Sequence, residues 1–163
     1  CFVTNGDYGD FLEKFRGKPY PEGHFVDESG QKLGKHRGIV RYTIGQRKGL
    51  GLALKEPMYV VGKDLGKNQV ILSTKEGLHS EGLLAYDFNW ISMDPPKAEY
   101  PVTAKTRYNA KPVPAFVSCE EDGTVKVRFE KPERAVAPGQ AVVLYDGDIV
   151  VGGGTIKQAL KKV

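Results

Sequence analysis

Two cysteines, three histidines and one dense run of cations are the residues of this chain whose types could do chemistry. Cys1 is the residue whose type points to covalent chemistry. The reactive species of a thiol is its thiolate, and with an ordinary pKa of about 8.5 the group needs positive charge nearby to ionise at neutral pH. Taken alone, a lone cysteine is more often inert than nucleophilic. Cys119 closes an apolar, β-forming run and reads as a small buried hydrophobe. His24, His36 and His79 are scattered, without the spacing of metal ligands and without an evident acid–base partner, so no metal is expected. The glycine clusters at 49–51 and 152–154 match neither common nucleotide-loop pattern and read as turns or bulges.

The cations offer a different chemistry. Between Gln31 and Lys55 stand Lys32, Lys35, Arg37, Arg41, Arg47, Lys48 and Lys55, with no acid between Glu28 and Glu56, in a chain whose net charge is only +4. Glycines 34, 38, 45, 49 and 51 punctuate the run. Lysine and arginine beside glycine turns present charge and peptide N–H groups to a polyanion. A solvated, lysine-rich hairpin is the plain alternative. The missing acids favour an anion-binding surface, with nucleic acid the expected partner and Lys35, Arg37, Arg41, Arg47 and Lys48 the candidate phosphate contacts. Arg107-Tyr108 pairs a cation with a ring, which suits phosphate contact plus base stacking; an ordinary surface arginine beside a core tyrosine would look the same. Pro138-Gly139-Gln140 is a turn that would present an amide side chain.

The elements that must carry these residues are mostly short strands. The chain has 163 residues, 40% of them hydrophobic and 27% charged, enough for one ordinary domain or two small ones. Its pI near 9.0 leans towards an acidic partner. No apolar run approaches the length of a membrane span, and two cysteines make no disulfide framework, so a reducing cytoplasm is the expected home. Because it begins with Cys, the chain is expected to be a piece of a longer protein. Asp7 is placed to cap a helix carrying Tyr8, Phe11, Leu12 and Phe15 on one face and stopped by Gly17, and the aromatic stripe is expected to pack on that missing portion. From 23 to about 80 the reading is a small β-rich unit with strands at HFVD, QKL, GIV, MYVVGKD and QVILS and a helical turn within 41–46; fifty-odd residues is small for an independent core. From 81 to 163 the chain reads as all-β. Val102, Ala104, Thr106 and Tyr108 alternate to one face, as do Val125, Val127 and Phe129. Turns at 120–123 and 146–148 imply hairpins. A closed antiparallel barrel is preferred to a sandwich because closure removes exposed edges. Gln158 to Val163 is expected to be a frayed basic tail.

CFVTNGDYGDF, GIVRYTIGQRKGLGL, the RY of KTRY, RAVAPGQAVVLYDGD and VVGGGTI together resemble the tRNA-specific 2-thiouridylases, also labelled tRNA (5-methylaminomethyl-2-thiouridylate)-methyltransferases. The resemblance covers essentially the whole chain. It implies three parts: residues 1–22 as the end of an ATP-binding domain and a linker, 23–80 as a small central domain, and 81–163 as a C-terminal β-barrel. It further implies an ATP-dependent sulfur transfer to C2 of the wobble uridine of tRNA. Cys1 would correspond to the persulfide-bearing cysteine, which can form a transient disulfide with a second cysteine outside this chain. Arg107, Tyr108 and Gln140 would correspond to tRNA-contacting positions. ATP with magnesium would be bound by the preceding domain, with no cofactor held by this chain, no activity from this chain alone, and no membrane partner. A persulfide donor, a cysteine desulfurase or a sulfur relay protein, would charge Cys1. The competing expectation is a non-catalytic RNA-binding β-barrel of a translation-associated protein.

Overall fold

A computed structural model describes residues 8–161; Cys1, the proposed cap Asp7 and the last two residues lie outside them. The chain forms two compact units divided between Leu78 and His79. The described residues are mainly β with one α-helix, as the alternation patterns and turn signals imply.

The first unit opens with α1 (Tyr8–Arg16). It stops at Gly17, which takes the left-handed conformation (φ 72°) and donates its N–H to the Lys14 carbonyl, a termination glycine permits at low cost. Gly9 is the buried helix position, while Tyr8, Phe11 and Phe15 face solvent in this unit. Four strands follow: β1 (Gly23–Val26), β2 (Lys32–His36), β3 (Tyr59–Asp64) and β4 (Gln69–Ser73), in the order β2-β1-β4-β3. β1 and β2 form an antiparallel hairpin whose turn is tied by Asp27, whose carboxylate accepts from the Ser29 and Gln31 backbone N–H groups and the Ser29 hydroxyl. β3 and β4 pair antiparallel across the 65–68 turn, whereas β1 and β4 run parallel. Phe25, Tyr42, Leu50, Val60, Val70 and Leu72 form the core of this unit.

The GIV segment expected as a strand is instead a 3₁₀ turn, Ile39–Arg41. Gly38 is the reason: at φ 105° it swings the chain off the sheet, and a side chain there would sit 2.8 Å from the Tyr20 Cβ, so both the backbone angle and the space call for glycine. The 41–46 segment then closes a tight turn in which the Gln46 N–H donates to the Thr43 carbonyl.

The second unit is a closed antiparallel barrel of six strands: β5 (His79–Trp90), β6 (Tyr100–Lys105), β7 (Val113–Cys119), β8 (Val125–Arg134), β9 (Ala141–Asp146) and β10 (Ile149–Leu160), in the cyclic order β10-β5-β8-β7-β6-β9. Val102, Ala104 and Thr106 point inward, as do Val125, Val127 and Phe129, joined by Leu83, Ala85, Ala115, Val117, Val142, Leu144 and Ile156. Cys119 packs against this core, half-buried.

Two sequence expectations change here. Gln158 to Leu160 is not a frayed tail but the end of β10, paired with Leu84, Leu83 and Gly82 of β5. Tyr108 does not continue the inward face of β6; the strand stops at Lys105 and the ring is 92% exposed. Gly152–Gly154 lies within β10, where both neighbouring registers slip, so the bulge reading holds and the turn reading does not. Side chains at 152 and 154 would meet the Phe88 ring at 2.7 and 2.8 Å; glycine lets β5 and β10 close over it.

Candidate nucleic-acid interface

Arg107 and Tyr108 leave β6 at one end of the barrel, and the topology brings Gln140 to the same end. β6 and β9 are antiparallel neighbours with Lys105 opposite Val143, so the chain leaving β6 lies beside the chain entering β9. Gln140 closes the turn at that entrance, its N–H donating to the Ala137 carbonyl, while its own carbonyl accepts from the Ile156 N–H. Both backbone groups of Gln140 are thereby fixed and its side chain stands in solvent. Arg107 and Tyr108 sit on a compact turn closed by the Ala110 N–H and the Arg107 carbonyl.

Topology also supplies residues that spacing could not reveal. Glu133, at the end of β8, accepts a hydrogen bond from Arg107 Nη2 at 3.1 Å. The acid is largely covered (side chain 16% exposed) and the arginine is not (43%). Glu133 therefore orients the guanidinium without enclosing it, leaving donors available to an incoming phosphate. Lys105 places its Nζ 5.8 Å from the centre of the Tyr108 ring, a cation–π distance. The Lys-x-x-Tyr spacing of KTRY hinted at this pair. The Arg107–Glu133 contact spans 26 residues and was invisible before the barrel closed. A bare ring with cations beside it at the end of a barrel strand can stack a base and hold a phosphate at once.

The cation-rich stretch of the first unit is divided by the fold. Lys35 on β2, Arg37 just after it, and Arg47 and Lys48 in the following loop are exposed. The loop has a built shape: Gln46 Oε1 accepts from the Thr43 N–H, Gln46 Nε2 donates to the Lys48 carbonyl, and Gly45 and Val60 complete two backbone bonds to β3. Gln46 thus holds out Arg47 and Lys48 and belongs with them as a positioning residue. Arg41 is different. Its guanidinium lies 2.7 Å from Asp10 and 2.8 Å from Glu13 of α1, with the side chain only 15% exposed. The acids missing from the stretch arrive from about 30 residues upstream. Arg37 and Arg41 line one groove with Asp10, Glu13 and Glu22; Arg47 lines another with Gly49, Leu52 and Met58.

Among the described residues, the buried histidine and the half-buried thiol are not arranged for acid–base or nucleophilic work. His36 is buried between Phe25 and Tyr42, at ring-centre distances of 5.6 Å. The Gly38 N–H donates to Nδ1, so Nε2 carries the proton and donates to the Asn68 carbonyl at 3.1 Å. Burial holds its pKa below the ordinary histidine value, fixing a neutral structural ring. Burial, aided by Glu120, pushes the Cys119 thiol up, the opposite of an activated nucleophile. Among the described residues no group of three or more His, Cys, Asp or Glu side chains could hold a metal ion. No helix among them is long and apolar enough to cross a membrane.

Residues 9–74 match the tRNA methyl transferase PRC-barrel domain family and residues 80–156 the aminomethyltransferase beta-barrel domain family. The tRNA-specific 2-thiouridylase MnmA of Acetivibrio thermocellus is 54% identical over 157 residues, covering 96% of this chain. Those of Thermoanaerobacter sp. and Clostridioides difficile are 48% and 46% identical over 99% and 98% of it. The chain belongs to the tRNA-specific 2-thiouridylase family. It spans 44% of the length of each of these three relatives. In the 2-thiouridylase setting, the boundary between the two matched domains falls within 75–79, where the two compact units divide. The exposed rim residues Arg107, Tyr108 and Gln140 belong to the barrel domain, and the Gln46-braced loop belongs to the PRC-barrel domain.

Proposed function

We propose that this chain is the tRNA-holding, persulfide-bearing portion of an ATP-dependent tRNA 2-thiouridylase. The observation that carries the proposal is the 46–54% identity, over nearly the whole chain, to proteins named for that activity. The exposed Tyr108 ring, next in sequence to Arg107 and with the Lys105 Nζ 5.8 Å from its centre, supports the RNA-holding role.

In this reading ATP, bound with magnesium outside this chain, adenylates the C2 oxygen of the wobble uridine. The terminal sulfur of a persulfide on Cys1 then attacks C2 and AMP departs. A persulfide sulfur is a strong nucleophile at neutral pH and an adenylated oxygen a good leaving group, so the step divides one difficult substitution into two easier ones. A second cysteine closes a disulfide with Cys1 to release the sulfur, and a persulfide donor protein recharges the site after reduction. Arg107 contacts a phosphate, Tyr108 stacks on a base, and Gln140 donates or accepts beside them. Lys35, Arg37, Arg47 and Lys48 add sequence-independent attraction to the RNA backbone. Such an enzyme works where tRNA and ATP are found, in the cytoplasm.

The test is to incubate the full-length protein with tRNA, ATP and a persulfide donor and to digest the tRNA for nucleoside analysis. A 2-thiouridine product that requires ATP is expected. RNA binding without any thiolated nucleoside would leave a non-catalytic RNA-binding module.

A further inference from the structure

We infer that the groove beside the Gln46-braced loop of the small unit takes one unpaired nucleotide of RNA. Its base lies on an apolar floor of Leu52, Leu54 and Met58, and its phosphate lies against Arg47 and Lys55, all of which line the groove. The inference deepens the RNA-holding reading and rests on it.

The loop is closed before any ligand arrives. Gly45 donates its N–H to the Val60 carbonyl at 2.8 Å, and Val60 donates its own to the Gln46 carbonyl at 2.9 Å. The chain therefore leaves this point and returns to it after an excursion through 47–59. Leu50, 7% exposed, roots that excursion in the core. Leu52 lies over β2 at Gly34, where a side chain would collide with it. Leu52, Leu54 and Met58 pack against the core cluster and stay half-buried. The surface they keep floors an open groove of about 430 Å³, a size in the range of small-ligand clefts. Gly51 lines the same groove, and a Cβ there would meet nothing within 4 Å. The space above the floor is thus open at the backbone itself.

Charge narrows the choice of occupant. Among the described residues Arg47, Lys48 and Lys55 have no ion-pair partner, whereas Arg41 is held by two acids. All three free cations are exposed. Glu56 also lines the groove, and its carboxylate accepts from base N–H donors while repelling phosphate; beside Arg47 and Lys55 it leaves the rim net positive. The complementary ligand is an anion with a flat apolar body. A bare inorganic anion leaves the floor unused. A duplex turns its phosphates outward and hides its base faces in the stack, while an unpaired nucleotide splays its base away from the backbone and shows both. Leucine and the adaptable methionine side chain fit any base face, so the groove selects an unpaired nucleotide without selecting which base.

The test measures binding of the full-length protein to a tRNA transcript and to a blunt-ended RNA duplex at several salt concentrations. Arg47→Gln/Lys55→Gln should weaken tRNA binding and flatten its log–log salt slope by about 0.7 for a single-strand phosphate. Leu54→Ser should weaken tRNA binding by about 3- to 10-fold through lost apolar contact, with the salt slope and duplex binding unchanged. Gly51→Asn serves if Leu54→Ser folds poorly. Asparagine tolerates the left-handed backbone at that position (φ 69°), and its side chain occupies the open space, so tRNA binding should fall as it does in Leu54→Ser. Full tRNA affinity in both variants would overturn the nucleotide site. Equal losses on tRNA and on the duplex would make the groove a track for paired RNA instead. Unchanged tRNA binding with weakened binding of the persulfide donor protein would assign the groove to a protein partner. Tyr108→Ala, run in parallel, separates the failures. Binding weakened by Tyr108→Ala and not by the groove variants removes the groove alone; a parent protein that does not bind tRNA removes the RNA-holding reading and the groove with it.

Discussion

In the barrel unit Lys105 and Arg107 stand at the end of β6, outside a closed apolar core. In the small sheet unit charge and polar contacts are part of the framework: Arg41 ties α1 down through two carboxylates, Gln46 braces a loop, and His36 fills the interior with both ring nitrogens hydrogen-bonded. The six-residue core of the small unit is set against fourteen buried apolar residues in the barrel. A unit with little apolar surface to bury draws more of its order from specific polar bonds. It follows that removing a cation from the barrel rim should change binding and leave the fold intact, while removing a bracing polar group such as His36 from the small unit should cost that unit stability.

The largest effects should come from the two interiors. Leu144→Ala opens a cavity in the barrel and should cost about 2–5 kcal/mol in denaturant unfolding, with hydrogen-exchange protection lost along β6 and β9. His36→Ala should cost the small unit a comparable about 2–5 kcal/mol, because it leaves a cavity, strips the Gly38 N–H of its partner and leaves the Asn68 carbonyl with the His24 N–H alone. His36 also sets a pH dependence. Its folded pKa lies below the ordinary 6.5, so as pH falls through about 6.5 the unfolded chain takes up a proton that the folded chain refuses. Stability of the small unit should therefore decline from pH 7.5 to 5.5, read from denaturant midpoints, and His36→Gln should flatten that decline. A stability curve unchanged by His36→Gln would break the contrast between the units.

Rim substitutions come next. Tyr108→Ala should weaken tRNA binding by about 1–3 kcal/mol if the ring stacks a base, with unfolding midpoints unchanged because the ring is bare. Tyr108→Phe should bind as the parent does. Arg107→Ala should weaken binding and lower the salt slope by about one unit. Smallest of all, Glu133→Gln releases Arg107 from a partly exposed pair and should shift tRNA affinity by no more than about 1 kcal/mol, towards tighter binding.

Where the sequence could be read, residue alternation did the reading. Val125, Val127 and Phe129 inward with Lys126 and Arg128 outward announced β8, and the 120–123 turn announced its hairpin with β7. β5 escaped because Ser80/Gly82 slips register against β8 and the HSEGLLAYDFNW run lacks a clean period. The glycines of β10 look like a turn in one dimension and are a bulged strand in three. Tyr108 seemed to extend an inward face, but alternation carries no information about where a strand ends. Arg107, Tyr108 and Gln140 were found through family motifs, since composition and spacing gave each of them an ordinary explanation as well. The cation run from 31 to 55 misled in one respect. A stretch without acids in sequence is not a region without acids in space, and Asp10 and Glu13 reach Arg41 from α1.

The most direct measurement is ATP-dependent wobble-uridine thiolation by the full-length protein, comparing the parent with Cys1→Ser while tRNA binding is followed in the same samples. Loss of 2-thiouridine with tRNA still bound is the predicted result, separating the residue that carries sulfur from the rim that holds RNA. Undiminished 2-thiouridine in Cys1→Ser would contradict it and place the sulfur carrier elsewhere in the protein.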